Sequence, residues 1–533
     1  MILNFKIKIV GLTIAVVTLL SSSLRAQFFN IKNDNFWNTA DHQPIYSQGG
    51  GIFKFTDPAS KTKKYYWYGV HYAEADLYRS NPAITQQQAT FQSVSCYSST
   101  DLVNWTQEKD VLTSKYLSQY GGKTWVGRLG VAYLKKLNQY AMFVQYGKKV
   151  LVAVSDSPTA NFTYHQEIDM TPVIGTSNTG DQTVFTDEDT GKSYLIYSYG
   201  RGRNKIYVSE IGIKNGKISI IDCTEVFKGE SREGNCMFKY KGKFYMCASN
   251  IYGWDSSYAY YLVADHIRGP YKPVNSMEVM EGCEKDFAHI TQTGFFVLVK
   301  GSQQETIIYC GDRWADFAGN GLGYNQWMPL SFSGTKPHFN SLSSWNLNEK
   351  TGEWNIGIDN DYVLNGSFEA DRNHIPSRVK PAQEQLTGWE TTILSGNKIS
   401  TANTESPVLN YFNSTADREK ATGEKSLNIT DSINFSRKIS QKITSDNLKS
   451  LPNGTYQLQL KAKVSGSFNQ LYMFAEVDGK IFKQELSDSR GEWKTFRLPN
   501  ISIGNGKLEI GFYADGLALA SCLIDDVQLK QVK

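Results

Sequence analysis

Two carboxylates and one amide stand at equivalent places in a layout that the sequence repeats five times. In each copy one residue precedes an aromatic residue by about four or five positions, and a polar turn and a second strand rich in Tyr or Phe follow. Asp181, Glu233 and Gln292 occupy that leading position in three copies. A carboxyl group in an enclosed pocket beside a second carboxylate has a raised pKa and can act as a general acid. The residue types therefore point to proton-transfer chemistry. The five copies begin at Gly49, Gly127, Gly180, Ser231 and Ile290.

The elements that must position these residues are short paired strands. Over residues 27–358 the sequence shows strand patterns and polar turns with almost no helical periodicity. Repeated strand pairs with no helix between them are typical of a β-propeller, in which sheets are arranged around a central axis. We therefore predict an all-β chain with a five-bladed β-propeller over residues 27–358. Equivalent residues of successive blades converge at one end of the axis, so Asp181, Glu233 and Gln292 should face one pocket.

The pattern changes near Asp359, and residues 359–533 predict a second domain. DYVLNGSFEADR (Asp361–Arg372) begins this unit, CLIDDVQLK (Cys522–Lys530) ends it, and alternating strands lie between them. Such alternation over one domain length fits a single β-sandwich.

The first 26 residues have the features of a secretory signal. Lys6 and Lys8 provide a positive start, Ile9–Leu20 an apolar run, and Leu24–Ala26 a cleavage site. The apolar run is too short for a membrane span, and no later segment is apolar for long enough. We expect an exported protein, periplasmic or extracellular, that acts as a monomer.

Charge and cysteine usage exclude some classes of protein. The net charge of +4 comes from scattered Lys and Arg residues without a basic stripe, so we expect no nucleic-acid partner. The seven cysteines include no C-x-x-C pair and lie mostly in strand patterns. One disulfide is compatible with the sequence, but its pairing is left open.

Several motifs in order make the first domain resemble glycoside hydrolase family 43, and most closely its exo-β-1,3-galactanase branch. The resemblance extends from about residue 33 to residue 345 and implies the five-bladed propeller of that family. The family motifs are SSTDLVNW (Ser98–Trp105), VAVSDSP (Val152–Pro158) and GDQTVFTDEDTGKSYLIY (Gly180–Tyr197). The branch motifs are QGGGI (Gln48–Ile52), YYWYG (Tyr65–Gly69), REGNCMFKYKGKFYMCASNIYGW (Arg232–Trp254), CGDRW (Cys310–Trp314) and YNQWMPL (Tyr324–Leu330).

The resemblance implies inverting hydrolysis of a glycosidic bond, in which an acid protonates the leaving oxygen and a base activates water on the opposite face. Glu233 matches the family's general acid. Asp181 matches the Asp that tunes the acid and orients the sugar. Most of the family has an Asp base at the head of the first blade, where this chain has QGGGI. In the galactanase branch a Gln is thought to position or activate the water, and Gln292 matches it.

The assignment of Gln292 has alternatives in the sequence. Gln292 could simply line the pocket as a hydrogen-bonding amide, since an amide is a poor general base. The carboxylates that we would consider next as the base are Glu281, Glu284 and Asp286.

Further residues are expected to contact the sugar. Trp125 is a third candidate aromatic platform beside Trp254 and Trp314, although core packing is the usual role of a Trp. His289 and His266 are expected to be structural, because no His/Asp cluster has the spacing of catalytic zinc. The predicted substrate-binding residues are Gln48, His71, Glu74, Arg128, Trp254, Asp312, Arg313 and Trp314.

Two departures from the branch concern specificity. The branch usually has a Glu where this chain has Gly127, and a second Glu where it has Val70. Lost hydrogen-bond acceptors change which hydroxyls a site recognises. We predict an exo-acting inverting glycosidase that releases terminal galactose-type or arabinofuranose-type residues from a polysaccharide such as arabinogalactan. The alternatives are a β-D-galactofuranosidase, an α-L-arabinofuranosidase, or a non-catalytic sugar-binding protein on a degraded hydrolase scaffold.

The second domain resembles the jelly-roll carbohydrate-binding modules of secreted polysaccharide-degrading enzymes, and a spacer without a sugar site is the alternative. That resemblance implies a structural calcium near Glu369 and Asp525, since carboxylate oxygens suit this ion. We expect no cofactor for catalysis.

Overall fold

The computed structural model describes residues 27–81, 86, 88–121, 125–199, 202–253, 256–315, 320–370, 386–397, 409–411, 425–445, 451–487 and 489–532. The predicted signal sequence lies outside the described residues. The chain is all-β, as predicted. Its short right-handed helices are α1 (Ala75–Ser80), α2 (Ser114–Leu117) and α3 (Thr171–Ile174). None of the described helices is long and apolar enough to cross a membrane.

Five antiparallel sheets follow one another along the first part of the chain, and each contains the strand pair predicted for one repeat. Alternating Tyr, Val, Ile and Phe residues favour these strands, and polar turns separate them. Strand β1 (Phe29–Lys32) precedes the first sheet. The first sheet contains β2 (Gln48–Thr56), β3 (Lys63–Tyr72), β4 (Phe91–Ser99) and β5 (Thr106–Thr113). The second contains β6 (Val126–Leu134), β7 (Gln139–Tyr146), β8 (Lys149–Ser155) and β9 (Thr163–Ile168).

The third to fifth sheets repeat this arrangement. The third contains β10 (Gln182–Asp187), β11 (Lys192–Ser198), β12 (Lys205–Lys214), β13 (Lys217–Ile220) and β14 (Thr224–Lys228). The fourth contains β15 (Glu233–Tyr240), β16 (Lys243–Ser249), β17 (Tyr260–Ala264) and β18 (Glu278–Val279). The fifth contains β19 (Gln292–Lys300), β20 (Glu305–Ala315), β21 (Asn320–Ser333) and β22 (Lys336–Phe339). Strand β1 then pairs with β23 (Ser344–Leu347), which pairs with β24 (Trp354–Ile356).

The first strands of the five sheets lie side by side. Strand β2 contacts β6, β6 contacts β10, β10 contacts β15, β15 contacts β19, and β19 contacts β2. In four sheets the pairing of the first two strands shifts register close to the head of the first strand. Such β-bulges redirect side chains at the end of a strand. Glu233, Gln292, Gln48 and Arg128 lie at or beside these irregular strand ends.

Gly234 shows how one bulge depends on its residue type. Its φ of 62° lies in the left-handed region. A Cβ at this position would lie 2.5 Å from the carbonyl oxygen of Thr293. Glycine is therefore required beside Glu233 for both backbone conformation and space.

Buried tryptophans fill the space between the first and fifth sheets. Trp67, Trp105, Trp327 and Trp345 are fully buried in one cluster. Trp105 packs back onto the sheet from the turn after β4, and its indole N–H donates to the carbonyl of Leu102. These rings hold the sheets that carry Gln48 and Gln292.

Two five-stranded antiparallel sheets form the second part of the chain around a single core. The predicted boundary after residue 358 falls between β24 and the next strand. The strands are β25 (Glu390–Ser395), β26 (Leu409–Tyr411), β27 (Lys425–Thr430), β28 (Phe435–Thr444), β29 (Gly454–Ser465), β30 (Phe468–Val477), β31 (Lys480–Glu485), β32 (Lys494–Ile503), β33 (Lys507–Gly516) and β34 (Ser521–Gln531). Their orders are β25-β28-β33-β30-β31 and β26-β27-β34-β29-β32. The arrangement is consistent with the predicted sandwich.

All seven cysteines are free thiols. Six of them are buried, and Cys223 is exposed. Cys236 and Cys247 are paired across β15 and β16 without a disulfide between them.

Candidate active site

Glu233 is the first residue of β15, and its side chain is almost completely buried. Its Oε1 accepts a hydrogen bond of 2.6 Å from Nε2 of Gln292, and its Oε2 accepts one from Arg203. Burial and the negative charge of Asp181 raise the pKa of Glu233 to about 8, although Arg203 and Arg128 act in the opposite direction. Glu233 therefore holds its proton at neutral pH.

Asp181 lies directly before β10 and next to the start of β15. Its Oδ2 accepts a hydrogen bond of 2.9 Å from the backbone N–H of Gly234, and the Nε of Arg128 lies 3.2 Å from the same oxygen. Burial acts to raise the pKa of Asp181, but the charges of Arg128 and Arg203 hold it below its usual value. Asp181 is therefore the ionised partner of the pair, and Glu233 is the protonated one.

Arg128 joins the strand ends of three sheets. Its Nη1 lies 2.7 Å from Oδ2 of Asp312, and its Nη2 donates to Oε1 of Gln292 at 2.9 Å. Its Nε contacts Asp181, so all three nitrogens of this planar, buried guanidinium have an acceptor. Arg128 was predicted to bind the substrate, and that role stays a prediction; within the chain its contacts join Asp181, Asp312 and Gln292.

The charges around Glu233 balance when it is protonated. Arg128 and Arg203 carry two positive charges, and Asp181 and Asp312 carry two negative charges when ionised. Ionisation of Glu233 would add an uncompensated negative charge in a buried place, which is costly. This balance is a second physical reason, besides burial, why the carboxyl group stays neutral.

Gln292 uses both ends of its amide within the cluster. Its Oε1 accepts hydrogen bonds from Arg128 and from the indole N–H of Trp314, each 2.9 Å long. Its Nε2 donates to Glu233. The acid and the base of an inverting glycosidase lie about 6.5–9.5 Å apart. Gln292 could orient a water on the far face of a sugar only if the sugar separates the two side chains.

Gln48 is buried at the head of β2, and it lacks the contacts that a buried amide needs. Neither Oε1 nor Nε2 has a hydrogen-bond partner in the described part of the chain. Buried polar groups are nearly always paired, so this amide is a candidate for binding a hydroxyl.

The Trp125 side chain lies over Gly127, the position at which the galactanase branch has a Glu. Its side chain is 43% exposed at the start of β6. A Cβ on Gly127 would lie 2.4 Å from the Trp125 ring, so the ring occupies the place of any side chain there. An exposed indole beside Arg128 provides a flat apolar surface on which a sugar ring can stack.

Other predicted site residues have contacts outside this cluster. His71 stacks on Tyr46, with 3.5 Å between the ring centroids. Both oxygens of Glu74 accept hydrogen bonds of 2.7 Å from Thr90. Trp254 lies outside the described residues.

Arg313 lies in a different place from Asp312. Its guanidinium is 5.9 Å from the centroid of the Tyr324 ring, and with Asp34 and Glu369 it lines a cavity of about 440 Å³. Neighbouring residues of a strand point to opposite faces, so only one of the two could face Glu233.

The carboxylates that were considered as alternative bases do not face Glu233. Glu281 and Glu284 are exposed, and Oε2 of Glu284 accepts a hydrogen bond from the backbone N–H of Gly282. Asp286 is buried, and it binds the backbone N–H of His289 and the hydroxyl of Ser341.

The residues expected to hold calcium are both buried. Glu369 lines the cavity that contains Arg313, and Oδ1 of Asp525 accepts from the backbone N–H of Asp526. Within the described ranges no group of three or more His, Cys, Asp or Glu side chains could hold a metal ion. The structural calcium therefore stays a prediction.

A larger cavity, of about 720 Å³, lies at the opposite ends of the first strands. Part of its charged lining is paired within the cavity: Lys239 lies 2.9 Å from Asp187 and 2.7 Å from Asp189. Glu233, Asp181 and Gln292 do not line it. It is the larger of these two cavities, but the cluster of Glu233, Asp181 and Gln292 lies at the other end of the strands.

Sequence reasoning missed Arg203, which binds Glu233 from the loop between β11 and β12. That loop joins two strands of the third sheet at the end where β15 begins. The run YGRGRNK (Tyr199–Lys205) was the available signal, because Gly and Arg residues that follow a strand pattern predict a positively charged loop. It also missed Asn325, whose Nδ2 donates to Asp312.

Residues 63–322 match the family model for glycosyl hydrolases family 43. This part of the chain belongs to that family. The chain is a glycosidase, and the family predicted from the motifs is confirmed. No curated protein sequence gives a significant match.

Solved structures show the same fold at low identity. The exo-β-1,3-galactanase from Phanerochaete chrysosporium, solved with galactose, is 19% identical with a TM-score of 0.53, and the alignment covers 94% of this chain and 100% of that chain. The exo-β-1,3-galactanase from Clostridium thermocellum is 21% identical with a TM-score of 0.51, and the alignment covers 89% of this chain and 100% of that chain. This chain is thus similar in fold to both enzymes.

Proposed function

We propose that this family 43 glycosidase is exo-acting and inverting, and that it releases a terminal galactose-type or arabinofuranose-type residue from a polysaccharide such as arabinogalactan. The observation that carries the proposal is Glu233, a buried carboxyl group with a pKa of about 8 beside the ionised Asp181. A general acid works best when its pKa lies near the working pH. The burial of Glu233 beside Asp181 gives its carboxyl group a pKa in this range.

In the proposed reaction Glu233 gives its proton to the glycosidic oxygen as the bond between that oxygen and the anomeric carbon breaks, so the leaving sugar departs with a hydroxyl group. A water attacks the anomeric carbon from the opposite face, which inverts the configuration, and the attacking water releases one proton to the solvent. Glu233 takes up a proton from the solvent before the next turnover. Asp181 keeps Glu233 protonated before the reaction. Arg203 and Gln292 stabilise the Glu233 carboxylate that forms, since hydrogen bonds to a charged carboxylate favour it.

We assign the orientation of the water to Gln292. Its Oε1 is held by Arg128 and Trp314, so its amide plane is fixed by two donors. An amide in a fixed plane acts through geometry rather than through basicity. The proposal requires the bound sugar to break the direct contact between Gln292 and Glu233.

The choice of sugar follows from Gln48 and Trp125. The unpaired Gln48 amide can bind a hydroxyl, and the Trp125 ring replaces a carboxylate with an apolar surface. Both solved relatives are named exo-β-1,3-galactanases, which supports a galactose-type product. The loss of the Glu at Gly127 favours furanose sugars as the alternative.

We also propose that the five sheets are the blades of one closed propeller, with Glu233 at one end of its axis. The cyclic contacts of the first strands support this arrangement. The sandwich would keep the enzyme close to its polysaccharide by raising the effective concentration.

The test is incubation of the purified protein with arabinogalactan, β-1,3-galacto-oligosaccharides and aryl furanosides. We expect release of a monosaccharide, and Glu233→Gln should reduce it by about 10²-fold or more. The loss should be smaller for an aryl leaving group, which needs little protonation. Glu284→Gln, at an exposed carboxylate, is the matched control and should keep full activity. Binding without release, unaffected by Glu233→Gln, would contradict the proposal.

A further inference from the structure

The segment that leads into Gln292 has an unusual backbone. Phe287, Ala288, His289 and Ile290 all have positive φ, between 48° and 58°. They form one turn of left-handed helix (Phe287–Ile290) directly before β19. L-amino acids other than Gly, Asn and Asp rarely adopt this conformation even singly, and four in succession need strong support from their surroundings. Strained backbone of this kind is typical of functional sites.

The hydrogen bonds of the turn supply part of that support. Oδ1 of Asp286 accepts from the backbone N–H of His289 at 3.1 Å. The hydroxyl of Thr291 donates to the carbonyl of Ala288 at 2.6 Å, and Nε2 of Gln326 donates to the carbonyl of His289 at 3.2 Å. These bonds fix the carbonyl and N–H groups that a left-handed turn leaves exposed.

His289 ties the turn to two distant segments. Its Nε2 lies 3.1 Å from Oδ2 of Asp34, and its Nδ1 lies 2.7 Å from the hydroxyl of Ser341. Ser341 in turn donates to Asp286. Burial opposes protonation of His289, but Asp34 and Asp286 raise its pKa to about 10. Both ring nitrogens therefore carry protons, and both donate.

The turn sets the backbone from which the Gln292 amide reaches Glu233. The turn ends at Ile290, and only Thr291 lies between it and Gln292. The Thr291 hydroxyl lies 2.9 Å from the hydroxyl of Tyr309. The Gln292 amide has three hydrogen-bond partners, Glu233 at 2.6 Å and Arg128 and Trp314 at 2.9 Å each. A small change in the turn would therefore move the amide away from all three.

We propose that His289 is a positioning residue: its bonds to Asp34 and Ser341 hold the left-handed turn, and the turn places the Gln292 amide against Glu233. The inference rests on the proposed function, because it explains how the partner of the general acid is held. It assigns a catalytic consequence to a histidine that the sequence marked only as structural.

The test compares His289→Asn with the wild type on the substrate that the wild type hydrolyses. Asn adopts positive φ more readily than most residues, so the turn can still form, but it cannot reach both Asp34 and Ser341. We expect kcat to fall about 10- to 100-fold with little change in KM, because a misplaced catalytic group acts on the chemical step. His266→Ala removes an exposed histidine and should leave kcat unchanged.

The pH profile separates positioning from general destabilisation. Glu233 faces Asp181, Arg128, Arg203 and the Gln292 amide, and the hydrogen bond from Gln292 lowers the pKa of Glu233. Loss of that bond should raise the pKa of Glu233. The alkaline limb of the profile, where activity falls as Glu233 loses its proton, should then move to higher pH. Protonated His289 does not itself produce this limb, because its pKa of about 10 lies above it.

Two further variants keep the test decisive. Ala288→Gly lowers the cost of the left-handed turn and should restore part of kcat in the His289→Asn background. Ser341→Ala removes one acceptor of the imidazolium and should shift kcat and the alkaline limb in the same direction, but less. A folded His289→Asn protein with wild-type kcat and an unmoved limb would overturn the proposal. A wild type that hydrolyses no glycoside would overturn the proposed function itself, and with it this role.

Discussion

Nε2 of Gln292 donates a hydrogen bond of 2.6 Å to Oε1 of Glu233. The two residues come from the heads of adjacent sheets, and the contact is buried. It places the amide on the proposed general acid rather than across a sugar from it. Hydrogen-bond donors surround one protonated carboxyl group, and the proposed mechanism requires a substrate to enter between Glu233 and Gln292.

Replacement of Gln48 by Met should have opposite effects on stability and on binding. The buried amide has no partner among the described residues, and an unpaired buried polar group costs about 1–3 kcal/mol. Met has a similar length without that cost, so the free energy of unfolding should rise by about 1 kcal/mol. If the amide binds a sugar hydroxyl, KM should rise about 5- to 30-fold.

Denaturant unfolding and initial rates measure these two effects. Gln139→Met, in β7 outside the cluster, is the control and should leave KM unchanged. A less stable Gln48→Met protein with unchanged KM would show that the amide has a structural role.

Trp125 and Gly127 should act as a pair. Trp125→Ala removes the exposed ring, and we expect a loss of about 3- to 10-fold in kcat/KM, whereas Trp125→Phe should retain most activity. Gly127→Ala should cause a similar loss, because its Cβ would displace the ring. The double variant should then be no worse than either single one. Fully additive losses would argue against the shared mechanism.

The buried ion pair of the sandwich should control the stability of that part alone. Arg437 and Asp431 are 2.6 Å apart, and their side chains are 1% and 3% exposed. Asp431→Ala leaves an unpaired buried charge, so the unfolding transition that involves the sandwich should lose about 3–5 kcal/mol. Burial acts to raise the pKa of Asp431, but hydrogen bonds from Asn397 hold this pKa below its usual value. The stability that depends on ionised Asp431 should therefore decline as the pH falls into the acidic range.

Calorimetry of the full chain and hydrolysis of a small aryl glycoside together test this prediction. Replacing both residues with apolar ones, as in Asp431→Leu with Arg437→Met, should restore most of the stability. A large loss of activity at temperatures where Asp431→Ala remains folded would contradict the separation.

The repeat pattern was sufficient to predict the strands and the leading residues. Period-2 alternation and polar turns mark β15 and β16 clearly, and the repeated layout places Asp181, Glu233 and Gln292 at corresponding strand ends. The structure brings these three residues together. Gln48 also begins a first strand, whereas Asp312 lies within β20, opposite Gln292 at the head of β19.

Other parts of the site depend on information that local patterns do not carry. Arg203 reaches Glu233 from a loop of the preceding sheet, and spacing along the chain does not reveal such a contact. The left-handed turn at His289 contradicts the preference of its residues, so propensity alone would not predict it. Arg313 was assigned with Asp312, although the alternation of a strand allows only one of them to face the site.

The pH dependence of kcat/KM for the wild type and for Asp181→Asn tests most directly whether Glu233 is the proton donor. If protonated Glu233 is the proton donor, as proposed, the wild-type rate should fall as the pH rises through about 8. Asp181→Asn removes the negative charge that raises this pKa and leaves Arg128 and Arg203 in place, so its alkaline limb should move to lower pH. Asp189→Asn, at an exposed ion pair, should not shift the limb. An alkaline limb that stays in place or moves to higher pH in Asp181→Asn would contradict the role of Glu233 as the proton donor.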